Sequence, residues 1–176
     1  MIYQPSEDSY LLEEEVKKRA RGKRVLDVGT GNGIQARAAW SSGAREVLAV
    51  DIDTGAIEKL KNEEFEVKKS DLLEKVYGKF DLIVFNPPYL PLDSREDAES
   101  ALATTGGERG DEIIVNFLKT VEQHLASGGE ILLVVSSLTP LGKIRKILKE
   151  KKFHERVVAS KNLFMERLDV WEITRD

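Results

Sequence analysis

The sequence predicts an α/β domain: a mostly parallel sheet of seven strands with helices on both faces. Three observations predict it. Strand and helix patterns alternate from Arg24 onward, which implies parallel strands joined by crossover helices. A glycine-rich turn, Gly29–Gly33, leaves a strand and enters a helix. The last two strand patterns follow each other with no helix between them, so one of them runs antiparallel. The 176 residues suit a single domain, residues 1–176, that buries roughly 70 % of its unfolded surface.

The elements follow in order. Tyr3-Gln-Pro-Ser6 reads as an extended arm ending in a helix N-cap at Ser6. Glu7 and Asp8 suit the positive end of that helix, and Lys17, Lys18 and Arg19 its negative end. Leu11, Leu12 and Val16 share a face, and Gly22 is the stop. Arg24–Val28 is a short apolar strand, followed after the glycine turn by a helix over Ile34–Ser41. Glu46–Asp51 is the second strand, and Asp53 or Thr54 caps a helix that runs to about Lys61. Phe65–Lys69 is a short, charged third strand, and Phe80–Phe85 a strongly apolar fourth. An irregular stretch of roughly 25 residues then runs from Asn86 to Gly110, and loops of that length are usually functional. A helix covers Asp111–Leu125, with Ile114, Phe117, Leu118, Val121 and Leu125 on one face. Ile131–Val135 is the fifth strand, Leu141–Lys151 a helix, and Phe153–Ala159 and Leu168–Thr174 the closing strands.

Composition narrows the chemistry. Cysteine is absent, which removes disulfides, thiol nucleophiles and Cys-ligated metals. The only histidines, His124 and His154, stand far apart, so no metal site is expected. The longest apolar run, Ile131–Val135, is too short to span a bilayer, and the opening carries no signal-peptide pattern. A soluble, cytoplasmic protein is the expectation. A net charge of −4 argues against a sequence-independent grip on nucleic acid, which rests on phosphate neutralisation. Scarce Asn and Gln, no Cys and 33 % charged residues hint at a thermophilic source.

The glycine turn is Val25-Leu-Asp-Val-Gly-Thr-Gly-Asn-Gly33. Its Gly29, Gly31 and Gly33 fall as G-x-G-x-G, and Ile34 stands where a dinucleotide fingerprint needs its third glycine. A pyrophosphate ligand is therefore disfavoured, while close approach of a small ligand to backbone, and of a carboxylate to the helix start, remains. Asp27 lies beside the turn, placed to face an ammonium group. Asp51 ends the second strand 24 residues later, where an acid accepts from ribose hydroxyls. Asp71 follows the third strand and suits an adenine amino group, with Leu72 available to pack on the purine. Each acid alone reads as a cap or a solvated loop residue. Together they line the C-terminal ends of successive strands, where open α/β sheets bind ligands.

Asp81-Leu-Ile-Val-Phe-Asn-Pro-Pro-Tyr89 carries the most chemistry. Asn86 comes at the C-terminal end of a buried strand. Pro87 and Pro88 fix two φ angles and supply no N–H, so the turn offers carbonyl acceptors without competing donors. The Asn86 side-chain carbonyl adds another. Two convergent acceptors suit a planar –NH₂ group, and Tyr89 offers an aromatic face for it. A plain Pro-rich strand terminator would not need the upstream glycine turn and spaced acids.

These residues resemble class I S-adenosylmethionine-dependent methyltransferases of the amino-methylating type. Asn86-Pro-Pro-Tyr89 matches the motif of N6-adenine methyltransferases and of HemK-type glutamine methyltransferases of release factors. Tyr3-Gln-Pro-Ser-Glu-Asp-Ser-Tyr-Leu-Leu12 is similar to the opening of the short archaeal and eukaryotic HemK branch, and Gly106-Gly-Glu-Arg-Gly110 resembles the glycine segment downstream of Asn-Pro-Pro-Tyr there. The resemblance implies a Rossmann-like class I methyltransferase sheet in the order 3-2-1-4-5-7-6, strand seven antiparallel. It implies S-adenosyl-L-methionine as cofactor, with contacts at Ser9, Asp27, Gly29, Asp51, Asp71, Leu72 and Asn86. It implies as substrate the glutamine of the Gly-Gly-Gln loop of a class 1 translation release factor. It further implies a small zinc-binding activator protein along the edge strand Phe65–Lys69. The charges Glu64, Glu66, Lys68 and Lys69 would equally protect a bare edge. The segment Asp93–Thr105 departs from the family pattern.

The other readings are methylation of adenine N6 in DNA or RNA, of a protein lysine, or a cofactor-binding scaffold without chemistry. The adenine reading lacks the aromatic–basic interleaving that an extruded base needs. The scaffold reading meets an intact Asn86–Tyr89 segment. Basic runs at Lys17–Arg24 and Lys149–Arg156 fit solvated helix ends.

Overall fold

In the computed structural model, described here for residues 6–89 and 105–176, the chain forms one seven-stranded sheet. Its elements are α1 (Glu7–Arg19), β1 (Arg24–Val28), α2 (Ile34–Ser41), β2 (Glu46–Asp51), α3 (Thr54–Leu60), β3 (Glu66–Lys69) and β4 (Phe80–Phe85). After the loop come α4 (Glu112–Thr120), a 3₁₀ turn (Val121–His124), β5 (Leu125–Ser136), α5 (Gly142–Glu150), β6 (Phe153–Leu163) and β7 (Glu166–Arg175). The strand order is β3-β2-β1-β4-β5-β7-β6. β7 runs antiparallel to both neighbours, and the other pairings are parallel. The fold class and strand order expected from the resemblance are thus those observed. The arm at Tyr3–Pro5 and the segment Asp93–Thr104 lie outside the described residues.

Period-two alternation sorts the strand side chains between two apolar layers. On one side Leu26, Val28, Ile83, Phe85, Ile131 and Leu133 pack with α4 and α5, and the Phe85 and Phe117 rings meet at 4.8 Å between centroids. On the other, Val25, Leu82, Val84, Leu132 and Val134 pack beneath Leu12 and Val16 of α1 and Ala36 and Ala39 of α2. Arg19, at the end of α1, donates to Glu15 at 2.5 Å and to Glu172 of β7 at 3.0 Å, tying the helix to the far half of the sheet. Among the described residues no helix is long and apolar enough to cross a membrane.

Three expectations shift, and one open alternative is decided. Ser6 precedes α1 with extended backbone, but its hydroxyl donates to Asp8 at 2.6 Å rather than capping the helix. At α3 the cap is Asp53, which accepts from the Gly55 amide at 2.8 Å. The helix expected over Asp111–Leu125 stops at Thr120, and Leu125 already pairs with Phe80 in β5. Small residues allow this. Gly128 takes a φ of +71°, and the register jumps from Phe80↔Leu125 to Leu82↔Glu130, so Leu125 reaches the core from a strand. Finally, β6 and β7 are longer than expected and form a hairpin whose two-residue turn is Phe164-Met165.

Candidate functional site

The site lies at the C-terminal ends of the parallel strands, where β1 to β4 finish in register. Val28 pairs with Val50 and with Phe85, and Asp51 with Lys69. The residues at these ends therefore form a row: Asp71 after β3, Asp51 at the end of β2 with Ile52 after it, Gly29 after β1, Asn86 after β4. Three strand spacings make that row about 14 Å long.

Each glycine of the turn after β1 has a left-handed φ: +64° at Gly29, +56° at Gly31 and +83° at Gly33. Gly33 is fixed by packing as well, since a Cβ there would stand 2.8 Å from a methyl carbon of Leu60. At Gly31 the space is open among the described residues, where a Cβ would meet the Gly29 carbonyl oxygen alone, at 4.0 Å. The two acids set the turn. Asp27 is buried and accepts from the Thr30 hydroxyl at 2.6 Å and the Ala36 amide at 3.1 Å. Burial pushes its carboxyl up to about 7, against the opposing effect of those two hydrogen bonds. Asp51 accepts the Gly31 amide at 2.8 Å on one oxygen and the Asp53 amide at 2.9 Å on the other. Each of its oxygens keeps a lone pair for a further donor.

Beyond β3, Leu72 holds a φ of +45°, uncommon for a branched side chain. Ser70 stabilises that shape: its hydroxyl donates to the Leu72 carbonyl at 3.0 Å and accepts from the Lys75 amide at 3.0 Å. Leu72 then packs against the core from a half-buried position, while Asp71 is exposed. Exposed Ile52 stands directly after Asp51.

Across the row, Asn86 follows the buried Phe85, and its Oδ1 is buried with no hydrogen-bond partner among the described residues. Such an acceptor is costly unless something donates to it. Pro87 is buried, and Tyr89 turns its ring toward the α1–α2 layer and donates its hydroxyl to Asp8 at 3.0 Å. The Gly106–Gly110 segment closes on this turn, for a Cβ at Gly106 would come within 2.7 Å of the Pro88 carbonyl oxygen. Thr105 Oγ1 and Asp111 Oδ1, flanking that segment, are likewise buried with no partner among the described residues. Ser9 is buried on α1, where its carbonyl accepts from Gln35 of α2 at 2.9 Å. The Oε1 of Gln35 is a further buried acceptor with no partner among the described residues.

The structure therefore brings Asp27, Gly29, Gly31, Gly33, Asp51, Asp71, Leu72, Asn86, Pro87, Pro88 and Tyr89 to one end of the sheet, with Ser9 tied to the same end through Gln35. Sequence reasoning missed Ile52, Ser70, Gln35, Thr105 and Asp111. Of these only Ile52, an apolar residue between two strand-end acids, carried a signal that spacing makes visible.

Comparison with known proteins identifies the family and the fold. Residues 6–165 match the family described as the methyltransferase small domain. A Methanocaldococcus jannaschii protein, named provisionally as a protein N5-glutamine methyltransferase, is 39 % identical over 146 residues, covering 78 % of this chain and 74 % of that one. The release factor glutamine methyltransferase of Koribacter versatilis is 35 % identical over 147 residues, covering 73 % of this chain and 52 % of its own. The ribosomal protein L11 methyltransferase of Caldicellulosiruptor bescii is 46 % identical over 87 residues, which is 29 % of its length. This chain thus spans about half or less of the last two. Among solved structures, the Encephalitozoon cuniculi Mtq2–Trm112 complex, described as methylating the termination factor eRF1, aligns with a TM-score of 0.80 at 24 % identity. That alignment covers 99 % of this chain and 98 % of that one, and it shows a shared fold.

Proposed function

The chain belongs to the methyltransferase small domain family, and on that premise we propose that it transfers a methyl group from S-adenosyl-L-methionine to the side-chain amide nitrogen of a glutamine in a class 1 translation release factor, the glutamine of its Gly-Gly-Gln loop. One observation carries the reading: a buried Asn86 Oδ1 with no partner among the described residues, in a turn whose two prolines offer no donors. The two glutamine methyltransferase relatives support the same acceptor class.

The residues fit the cofactor. The open space at Gly31 admits a ligand close to backbone, and Asp51 has acceptor capacity left for ribose hydroxyls. Asp71 suits the adenine amino group, and Leu72 and Ile52 its two faces. Gly29, Gly33, Asp27 and Ser9 border the amino-acid end. Asp27 does so chiefly by holding the turn, because its Oδ2 already serves Thr30 and Ala36. When bound, the cofactor supplies an electrophilic sulfonium methyl group.

The protein's part is positioning and charge. A carboxamide nitrogen is a weak nucleophile because its lone pair is delocalised. Asn86 Oδ1 accepts one amide hydrogen and the Pro87 carbonyl the other, which favours pyramidal nitrogen and stabilises the positive charge growing on it. Holding the nitrogen in line supplies up to roughly 7–11 kcal/mol of barrier reduction. The Tyr89 ring walls the turn on the α1 side, held there by Asp8.

We further infer a small activator protein at the β3 edge. Among the described residues β3 pairs with β2 alone, which leaves its outer side for an added strand. The Encephalitozoon structure, with its Trm112 partner, supports a partner of that kind.

The deciding experiment is methyl transfer from labelled S-adenosylmethionine to the cognate release factor, with the small partner present. A parallel factor has its Gly-Gly-Gln glutamine replaced by asparagine. The expected result is label on the normal factor alone. Label in RNA or DNA, with none on the factor, would overturn the reading in favour of adenine.

A further inference from the structure

The Asn86–Tyr89 turn has an anchoring problem that its own sequence creates. Pro87 and Pro88 lack N–H groups, so the turn cannot hang from a neighbouring strand by its own donors. Its carbonyls must stay available to the acceptor amide if the proposed chemistry is right. The turn therefore has to be held from outside, by a donor that reaches it without using Asn86 Oδ1 or the Pro87 carbonyl.

Thr139 meets that requirement. It lies beyond β5, is 4 % exposed, and donates its hydroxyl to the Tyr89 carbonyl at 3.2 Å. That carbonyl is the first of the segment past the two prolines. Thr139 is itself held firmly. Its amide donates to the Ser136 carbonyl at 3.0 Å, closing a four-residue turn. The Ser136 hydroxyl accepts from the Leu138 amide at 3.1 Å inside this turn and donates to Glu166 at 2.6 Å. Ser137 exchanges two further bonds with Arg167 of β7: its amide donates to the Arg167 carbonyl at 2.8 Å, and its hydroxyl accepts the Arg167 amide at 2.9 Å. The Ser136–Thr139 turn is thus bolted to the β6–β7 hairpin on one side and reaches the Tyr89 backbone on the other.

Among the described residues, two separate elements hold Tyr89: Asp8 of α1 accepts from its hydroxyl, and Thr139 donates to its carbonyl. The first contact fixes the ring. The second holds the main chain that carries Asn86 and Pro87. From this we infer that Thr139 is a positioning residue for methyl transfer, setting the place of the Asn86–Pro87 acceptor pair through the Tyr89 carbonyl. The inference rests on the proposed reading of Asn86 as the group that receives the acceptor amide.

The test compares Thr139→Val, which keeps shape and removes the hydroxyl, with Thr139→Ser, which restores it, and with Thr139→Ala should the valine variant fold poorly. Displacement of the turn by even about 1 Å should cost on the order of 10- to 100-fold in kcat. Thr139→Val is therefore expected to lose that factor, with cofactor affinity by calorimetry within about twofold, since a lone hydroxyl away from the cofactor residues leaves their contacts intact. Thr139→Ser is expected to recover most of kcat. Amide exchange at Asn86 and Tyr89 should quicken in the valine variant and not in the serine variant. Unchanged kcat in Thr139→Val, or equal losses in valine and serine variants, overturns the role. Unchanged exchange at the turn overturns it as well, whichever acceptor the enzyme uses. A wild-type enzyme that leaves the release factor unlabelled instead refutes the acceptor reading, and the exchange comparison still decides Thr139.

Discussion

Gly106 sits against the carbonyl of Pro88. A Cβ added to Gly106 would stand 2.7 Å from that oxygen and 2.4 Å from the carbonyl oxygen of Gly110. Backbone meets backbone there, and neither partner can rotate away. The glycine segment and the proline turn, 18 residues apart, are therefore one structural unit at the candidate acceptor position.

Gly106→Ala is expected to push the Pro88 carbonyl aside and to lower methyl transfer about tenfold or more, while cofactor affinity stays within about twofold. The backbone displacement should also cost roughly 1–3 kcal/mol of stability. Single-turnover transfer and thermal melting measure the two effects. Full activity in the alanine variant would separate the segment from the site.

Asn86→Ala is expected to keep most cofactor affinity and to lose about 10²-fold or more in kcat, as when a charge-stabilising partner is removed. Near-normal turnover would remove Asn86 from the chemistry.

Asp51→Ala is expected to weaken cofactor binding by about tenfold or more, because hydrogen bonds to a charged group contribute roughly 1.5–3 kcal/mol. It also releases the Gly31 and Asp53 amides. Asp51→Asn, which can still accept both, should recover part of the loss. Calorimetry showing unchanged affinity in both variants would reject the assignment.

The buried Asp27 makes stability depend on pH. Its carboxyl is raised from 3.8 to about 7, so between those values the folded protein holds a proton that the unfolded chain has released. The contribution is complete below pH 4 and is lost as pH rises through 7. Asp27→Asn can still accept from Thr30 and Ala36, so it should fold, and its melting temperature should fall less between pH 5 and pH 8 than that of the wild type. Parallel slopes in the two proteins would show that Asp27 is charged throughout.

Co-purification with a small activator protein at low salt is expected if the β3 edge is where it adds. Val67 is half-buried against the α1–α2 layer and Glu66 is exposed, so reversing the Glu66 charge should weaken the pair without unfolding the strand. A partner that binds both forms equally attaches elsewhere.

Much of this was legible in advance where a local rule acts alone. Apolar runs at Val25–Val28 and Leu82–Phe85 with acids or Asn at their ends marked strands and their functional ends, and the missing helix before Leu168 marked the reversal. The Asp111–Leu125 boundary was missed because Val121 and Leu125 keep helical spacing although the α-helix has ended at Thr120 and β5 begins at Leu125. Asp27 read as a ligand group, and its hydrogen bonds to Thr30 and Ala36, three and nine residues away, make it a brace for the turn as well. Ser70 and Thr139 were not legible, because their roles consist of contacts with backbone carbonyls that no side-chain pattern records.

The position of β7 between β5 and β6 also governs the order of assembly. β6 leaves the ribosome first, yet it reaches the sheet only by pairing with β7. During synthesis β5 must keep one side open, and β6 must wait unpaired, until the hairpin turns at Phe164-Met165 and β7 slides into the gap. The Ser136–Thr139 turn leans on that same hairpin, so the proposed brace of the acceptor turn is among the last parts of the molecule to form.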